Sequence, residues 1–271
     1  MAPLESNRSG LAWNVARNSI QSALDAASAG DTIYVAPGTY DETVTIARGL
    51  NVSLVGIGPW GSIKIAPSTD NASALFVHAD DCLIENIVAE CPDTTSTVAL
   101  TVTGSRFRGA WLKLVGGAKQ LVVGPGLNAL VTATDPTRGA GTDMIFVNCE
   151  LASGTQGVVL TGTDYGPAAQ IVLKDCLFNR LTASSVDETN ASGSSSNQFR
   201  NLLVDRCVFE PAQDGTEPTN YLLLNDSNSN TGLVRGCSFT VSLTSSKNLV
   251  STACKWVGNL HPAGLSTGQP S

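Results

Sequence analysis

Four aspartates, Asp143, Asp164, Asp175 and Asp205, stand at intervals that a repeating fold could bring to one outer face. Paired carboxyl groups of this kind cleave glycosidic bonds, one acting as acid and the other as base or nucleophile. Asp80 and Asp81 form the one adjacent pair, and successive strand residues point to opposite faces, so these two do not converge by themselves. The two imidazoles are His78, inside an apolar run, and His261, in a Pro-Gly tail, with no Ser, His and Asp order that suggests a triad. Gly116-Gly117 and Gly124-Pro125-Gly126 read as turns and not as phosphate cradles, because neither a lysine nor a helical pattern follows. The seven cysteines include no Cys-x-x-Cys spacing, which argues for reduced, buried thiols over a zinc or dithiol site. The residues by themselves therefore assign no catalytic, cofactor-binding or metal-ligating side chain.

Composition narrows the partners. Sixteen basic residues against twenty-three acidic ones give a net charge of −7, which disfavours a phosphate backbone as ligand, so no nucleic acid is expected. Charged residues are 14% of the 271 and hydrophobic ones 42%, enough for a packed core and too apolar for a disordered acidic chain. No apolar run reaches the length of a membrane span, and no basic segment followed by an apolar one opens the chain. The expectation is a protein with no membrane partner that is not exported by the usual route.

What must position any chemistry is a repeat. A six-residue frame, apolar first, polar or glycine third, small and buried fourth, fits 84–89, 107–112, 146–151, 173–178, 204–209 and 234–239. Its fourth positions are Ile87, Ala110, Cys149, Cys176, Cys207 and Cys237, spaced by 30 residues on average. Alternation through each frame is a half-buried strand, and further short apolar runs lie between frames, as at Val98–Val102 and Val158–Leu160. Two or three strands per repeat joined by Gly, Asn, Asp and Ser turns describe an all-β solenoid, a parallel β-helix of about seven coils. In it the cysteines form a column because a small polarisable side chain fits one narrow interior site. The polar run Thr182–Asn197 and the segment Pro211–Thr219 read as surface loops.

The start supplies a cap. Asn18 as N-cap with Gln21 three residues on, then Ile20, Ala23, Leu24 and Ala27 at helical spacing, predicts a short helix that Gly30 ends and that closes the first coil. The expected division is an N-terminal arm over 1–16, one β-helix domain over 17–257 and a C-terminal tail over 258–271. The string Ile20-Gln21 through Asp25, Gly30-Asp31 through Val35, and Pro37-Gly38-Thr39-Tyr40 with Glu42 and Val44 resembles the opening of right-handed parallel β-helix proteins of the pectin-lyase-like superfamily. That resemblance implies the handedness and the fold. It leaves function open, because the scaffold carries lyases, esterases, glycosidases and non-enzymatic viral proteins.

Within that superfamily, Gly141-Thr142-Asp143-Met144-Ile145-Phe146 with Asn148-Cys149 is similar to the stretch around the nucleophilic aspartate of pectin methylesterases. The preceding Gln-Asp-Thr motif and the later Arg-Pro-Trp signature are absent, so Asp143 is expected to be a turn residue leading into a strand. The Gly-His-Gly turn of polygalacturonases and the Arg-x-Pro-x-x-Arg arrangement of pectate lyases are missing too. The resemblance is greatest to phage virion β-helix proteins and implies a bacteriophage capsid decoration or cement protein. Such a protein would be a non-enzymatic homotrimer located in the virion, made in the host cytoplasm and bound to capsid proteins through its terminal arms, with no cofactor. Two alternatives stand beside it. A polysaccharide-acting enzyme of tailspike type would use the four aspartates, and a receptor-binding fibre module would present exposed aromatics, for which Tyr165, Tyr221 and Trp111 are the candidates.

Overall fold

The computed structural model describes residues 16–69, 72–92, 97–123, 142–160, 169–187, 201–211, 218, 220–223, 232–240, 248–249, 254–261 and 264–266. Nine strands stack in chain order as one parallel sheet: Thr32–Val35, Ser53–Gly56, Leu83–Glu85, Arg108–Ala110, Thr142–Val147, Ala169–Lys174, Leu202–Asp205, Gly232–Arg235 and Cys254–Val257. Each is followed by a strand on a second face, from Gly38–Tyr40 and Ile63–Ile65 up to Ser238–Phe239 and Asn259–His261. A third face runs from Val44–Ile46 through Leu75–Val77, Val98–Val102 and Lys119–Val123. Glu150–Leu160 and Leu177–Asp187 are long enough to belong to both the second and the third. The described residues form a parallel β-helix of nine rungs, where the sequence leads one to expect about seven coils. Two rungs precede the six-residue frame and one follows it.

Register alignment makes the core a set of columns. Leu54, Ile84, Gly109, Phe146, Leu173, Val204, Val234 and Trp256 lie above one another in the first sheet. The frame assigned to 107–112 is therefore two residues early, since Gly109 and not Phe107 aligns with Ile84 and Phe146. The fourth position of that rung is Leu112, not Ala110.

The corners carry the fold's most regular signal. Among the described residues twelve other than glycine have positive φ, and they fall into three columns. Asn86, Trp111, Asn148, Asp175 and Arg206 form one, between the first and second faces, and Gly236 and Gly258 continue it. Asp81, Arg106, Asp143, Gln170 and Asn201 form another, always five residues earlier, where the chain enters the first sheet. Ser153 and Arg180 belong to a third, aligned with Gly116. At the first corner each amide donates to the carbonyl of the next rung: Asn86 to Ala110, Trp111 to Val147, Asn148 to Lys174, Asp175 to Asp205 and Arg206 to Arg235, all at 2.9–3.1 Å. A sharp turn thus leaves no orphaned backbone donor.

The helix is Ile20–Asp25, shorter than expected, and its N-cap is Ser19, whose hydroxyl accepts from the Ser22 amide at 3.1 Å. Gln21 does not fold back into a capping box. It is drawn to the edge of the first rung, where its amide accepts from Thr45 N at 2.7 Å and donates to Thr45 O at 3.3 Å. The reciprocal acid is Glu42, whose two oxygens accept from the Ile20 and Gln21 amides. Ile20 and Leu24 are buried beneath, so the helix does cover the first coil.

One expected loop and one expected tail differ. Thr182–Asp187 continues a strand, with Ser184, Ser185 and Asp187 buried, because the same long strand serves two faces. Residues 188–197 lie outside the described residues, as does most of Pro211–Thr219. The strand pattern passes the boundary set at 257: Asn259–His261 pairs with the rung below, and Gly264–Ser266 folds back on it antiparallel. Residues 1–15 and 267–271, the bulk of the proposed arms, lie outside the described residues.

Candidate functional site

Of the acids singled out from the sequence, Asp80, Asp81, Asp175 and Asp205 stand at two corners and are paired there with arginines. Asp143 is exposed in the second corner column with φ of 60°, the turn position expected of it. Below it, Arg106 donates to both oxygens of Asp81, at 2.6 and 2.7 Å, and lies 3.8 Å from Asp80. Asp80 accepts from the Ser105 amide at 2.7 Å. At the first corner, Arg206 makes a bidentate pair with Asp175 at 2.8 and 2.9 Å and reaches Asp205 at 3.4 Å. Arg235 pairs with Asp205 at 2.9 and 3.3 Å. The arginine hydrogen bonds hold Asp81 and Asp205 below the usual carboxylate range. A group so held stays ionised and accepts hydrogen bonds; it is a poor proton donor near neutrality. The strand between the two corners separates Asp143 from Asp175 and Asp205, which share Arg206. Asp164 lies outside the described residues, as do Tyr165 and Gly124–Gly126.

All seven cysteines are buried, and none forms a disulfide. Cys149, Cys176, Cys207 and Cys237 stand in the expected column, and each thiol hydrogen-bonds the carbonyl of the first frame position one rung below: Gly109, Phe146, Leu173 and Val204. Asn259 ends the column. Its amide donates to Val234 O at 3.1 Å and accepts from Cys237 N at 2.9 Å. Hydrogen bonding to the Cys176 thiol, joined at Cys207 by that to Cys237, and then burial push the thiols of Cys149 and Cys207 up. Among the described residues no three metal-binding side chains converge, and no helix is long and apolar enough to cross a membrane. His78 is half-buried with Nδ1 3.0 Å from the Thr103 hydroxyl, a packing role.

Two groupings escaped the sequence reading. On the third face, Gln156 Nε2 and Ser184 Oγ both donate to Asp187 Oδ2, at 2.5 and 2.7 Å. Lys119 lies close enough for Asp187 to act on it electrostatically, while burial pushes its ammonium down. The amide and the hydroxyl fix this buried carboxylate in place, and neither Asp143, Asp175 nor Asp205 joins it as a second acid.

The other grouping is aromatic. Trp111 is 50% exposed at the first corner and Trp60 49% exposed on the loop 57–62, which takes the place of that corner in the second rung. Trp60 Nε1 donates to Trp111 O at 3.2 Å, and the Asn86 side chain donates to Gly56 O and Gly58 O at 3.1 and 2.9 Å, pinning the loop. The Lys113 ammonium lies 5.5 Å from the Trp60 ring centre. Tyr221, proposed as an exposed aromatic, is instead buried edge-on against Phe209 and Phe239. A tryptophan at φ of 54° is unusual, since bulky side chains avoid the left-handed region at a cost of ~1–3 kcal/mol.

No protein-family model matches the chain, and no characterised protein matches it in sequence. Solved structures do share its shape. Pectin methylesterase from carrot aligns with a TM-score of 0.62 at 14% identity, over 90% of this chain and 78% of the enzyme. Pectin methylesterase from Aspergillus niger aligns at 0.57 and 15% identity, over 92% and 81%. An alginate lyase from Paenibacillus aligns at 0.57 and 11%, over 90% and 93%. The fold is accordingly the right-handed parallel β-helix of the pectin-lyase-like kind, shared with polysaccharide-acting enzymes.

Proposed function

We propose that the chain is a non-enzymatic structural protein of a virus particle, a bacteriophage capsid decoration or cement protein that assembles as a β-helical homotrimer and is held to the capsid by its terminal segments. The observation that carries this reading is the fate of the acids. On a scaffold whose enzymes need free carboxylates, Asp81, Asp175 and Asp205 are each clamped by an arginine one rung away, where they stitch coil to coil. Fixed, saturated ion pairs suit a rod that endures, and they leave little with which to move protons.

The test has two arms. Purified full-length chain incubated with methyl-esterified pectin, polygalacturonate and alginate should release no methanol, no new reducing ends and no unsaturated uronate absorbance. Turnover on any of them returns the chain to the enzymes. Sedimentation should give three times the chain mass, and electron microscopy of particles containing the protein should place it on the capsid exterior; a monomer both free and bound sinks the reading.

A second reading, a polysaccharide-acting enzyme, is favoured by one feature, the Gln156, Ser184 and Asp187 cluster beside Lys119. If turnover is found, Asp187→Asn should abolish it.

A further inference from the structure

Among the described residues, six large hydrophobic side chains are exposed: Tyr34, Ile57, Trp60, Trp111, Val257 and Leu260. All six lie along the first corner. Trp111 occupies the corner itself, and Ile57 and Trp60 sit on the loop that replaces it in the second rung. Tyr34 aligns with Val55 of the second rung and Val257 with Arg235 of the eighth, in the outward column just before the corner. Leu260 aligns with Ser238 in the outward column just after it. Scattered exposed apolar residues need no explanation, whereas six confined to one edge do.

We infer that this edge is the contact surface between copies of the chain, with Trp60 and Trp111 as its anchors; the inference rests on the trimer proposed above and names its interface. Three features point to a second copy. First, the corner is convex, because the chain turns there from one face to the next, and a ridge cannot enclose a small ligand in the way a cleft does. Aromatic side chains on a ridge suit insertion into another macromolecular surface.

Second, the ridge is electrically quiet. Most of its charges pair internally, Lys64 with Glu90, Lys113 with Glu150, Arg206 with Asp175 and Arg235 with Asp205, and Glu85 and Lys174 in the outward column before the corner bring one charge of each sign. Copies that each carry −7 repel one another, and they do so least where each presents a neutral, sign-alternating stripe that a second copy can match.

Third, Trp111 holds a strained corner while half of its surface stays exposed. The same corner is occupied by Asn86 and Asn148 in neighbouring rungs, and asparagine tolerates the left-handed region far better than tryptophan. A bulky ring kept where a small polar one folds more easily, and left half exposed, has its use outside the subunit.

Trp111→Asn separates folding from association. It should raise the melting temperature of the dissociated subunit by roughly 2–4 °C, because it relieves the corner. At the same time it should weaken trimer formation by about thirtyfold, the scale of a hot-spot residue, as followed by sedimentation of the full chain over a concentration series. Trp60→Ser should weaken association similarly, and Asp143→Asn, on the other corner, should leave it unchanged. Without any substitution, tryptophan emission should move to the blue as wild-type chains associate. A wild-type trimer whose emission is indifferent to association, and which Trp111→Asn and Trp60→Ser leave intact, overturns the ridge while the trimer stands. A wild-type chain that stays monomeric at every concentration overturns both.

Discussion

At the fourth position of the frame, the rungs below Cys149 hold Ile87 and Leu112, and those from Cys149 upward hold four thiols and then the amide of Asn259. At the sixth, Ala89, Leu114 and Leu151 give way to Phe178, Phe209 and Phe239. The upper half stacks like on like: successive phenylalanine rings lie 4.8 and 4.6 Å apart and within 7° of parallel, the spacing of the strands that carry them. In the first sheet the lower half packs unlike on unlike, as Leu54, Ile84, Gly109 and Phe146, although its third face repeats Leu75, Leu100 and Leu121. Gly109 sits beneath Phe146, and a Cβ there would come within 3.0 Å of that ring, 2.9 Å of Leu112 and 3.1 Å of Phe107. Both halves fill the same prism, one by repeating a narrow thiol beside a wide ring, the other by trading bulk between neighbours.

Removing the centre of the like-on-like stack should have the largest effect. Phe209→Ala leaves a void between two rings and beside Tyr221, and should lower unfolding free energy by about 3–5 kcal/mol in urea denaturation. Asn259→Ala should follow at about 2–3 kcal/mol, because the Cys237 amide and the Val234 carbonyl lose their buried partner. Asn259→Cys, which prolongs the thiol column by one, should restore part of that loss.

In the lower half, Gly109→Ala should cost about 1–3 kcal/mol through overpacking, a penalty that an alanine in the loose part of a column would not show. If Phe209→Ala proves milder than Gly109→Ala, the distinction between the halves fails.

The smallest effect should appear only in acid. The Asp205 carboxyl is held below its ordinary 3.8, first by Arg235, so the unfolded chain takes up this proton before the folded one. The pair's contribution is full above that value and disappears as pH falls through the lower folded one. Asp205→Asn should therefore lose less stability than the wild type as pH drops below 3.8, measured by thermal melts across the acid range.

The same contrast explains what could be read from the amino-acid order. Identical residues one rung apart announce themselves, so the upper columns and the period near thirty were plain. Between 107 and 112 the apolar slot of the rung belongs to Gly109, and the ring that reaches it comes from Phe107, 5.3 Å from Phe146. A reader of hydrophobicity sees the ring and places the frame two residues early. The corner columns were hidden for another reason: arginine, glutamine and tryptophan are not residues by which a left-handed turn is expected, although their constant five-residue offset is a usable signal. The ion pairs were legible in principle, since Asp175 and Arg206, or Asp205 and Arg235, stand one repeat apart. Trp60 was not, because it lies on a loop outside any period.

The reversal of direction at Gly264–Ser266 bears on how such rods behave in a crowd. Every earlier strand of the second sheet offers a partner travelling the same way, and an unbroken row of them would invite the next molecule to continue the pile. The strand running backwards at Gly264–Ser266 breaks that polarity beside Asn259–His261, a mismatch that a parallel strand of a second molecule would not extend.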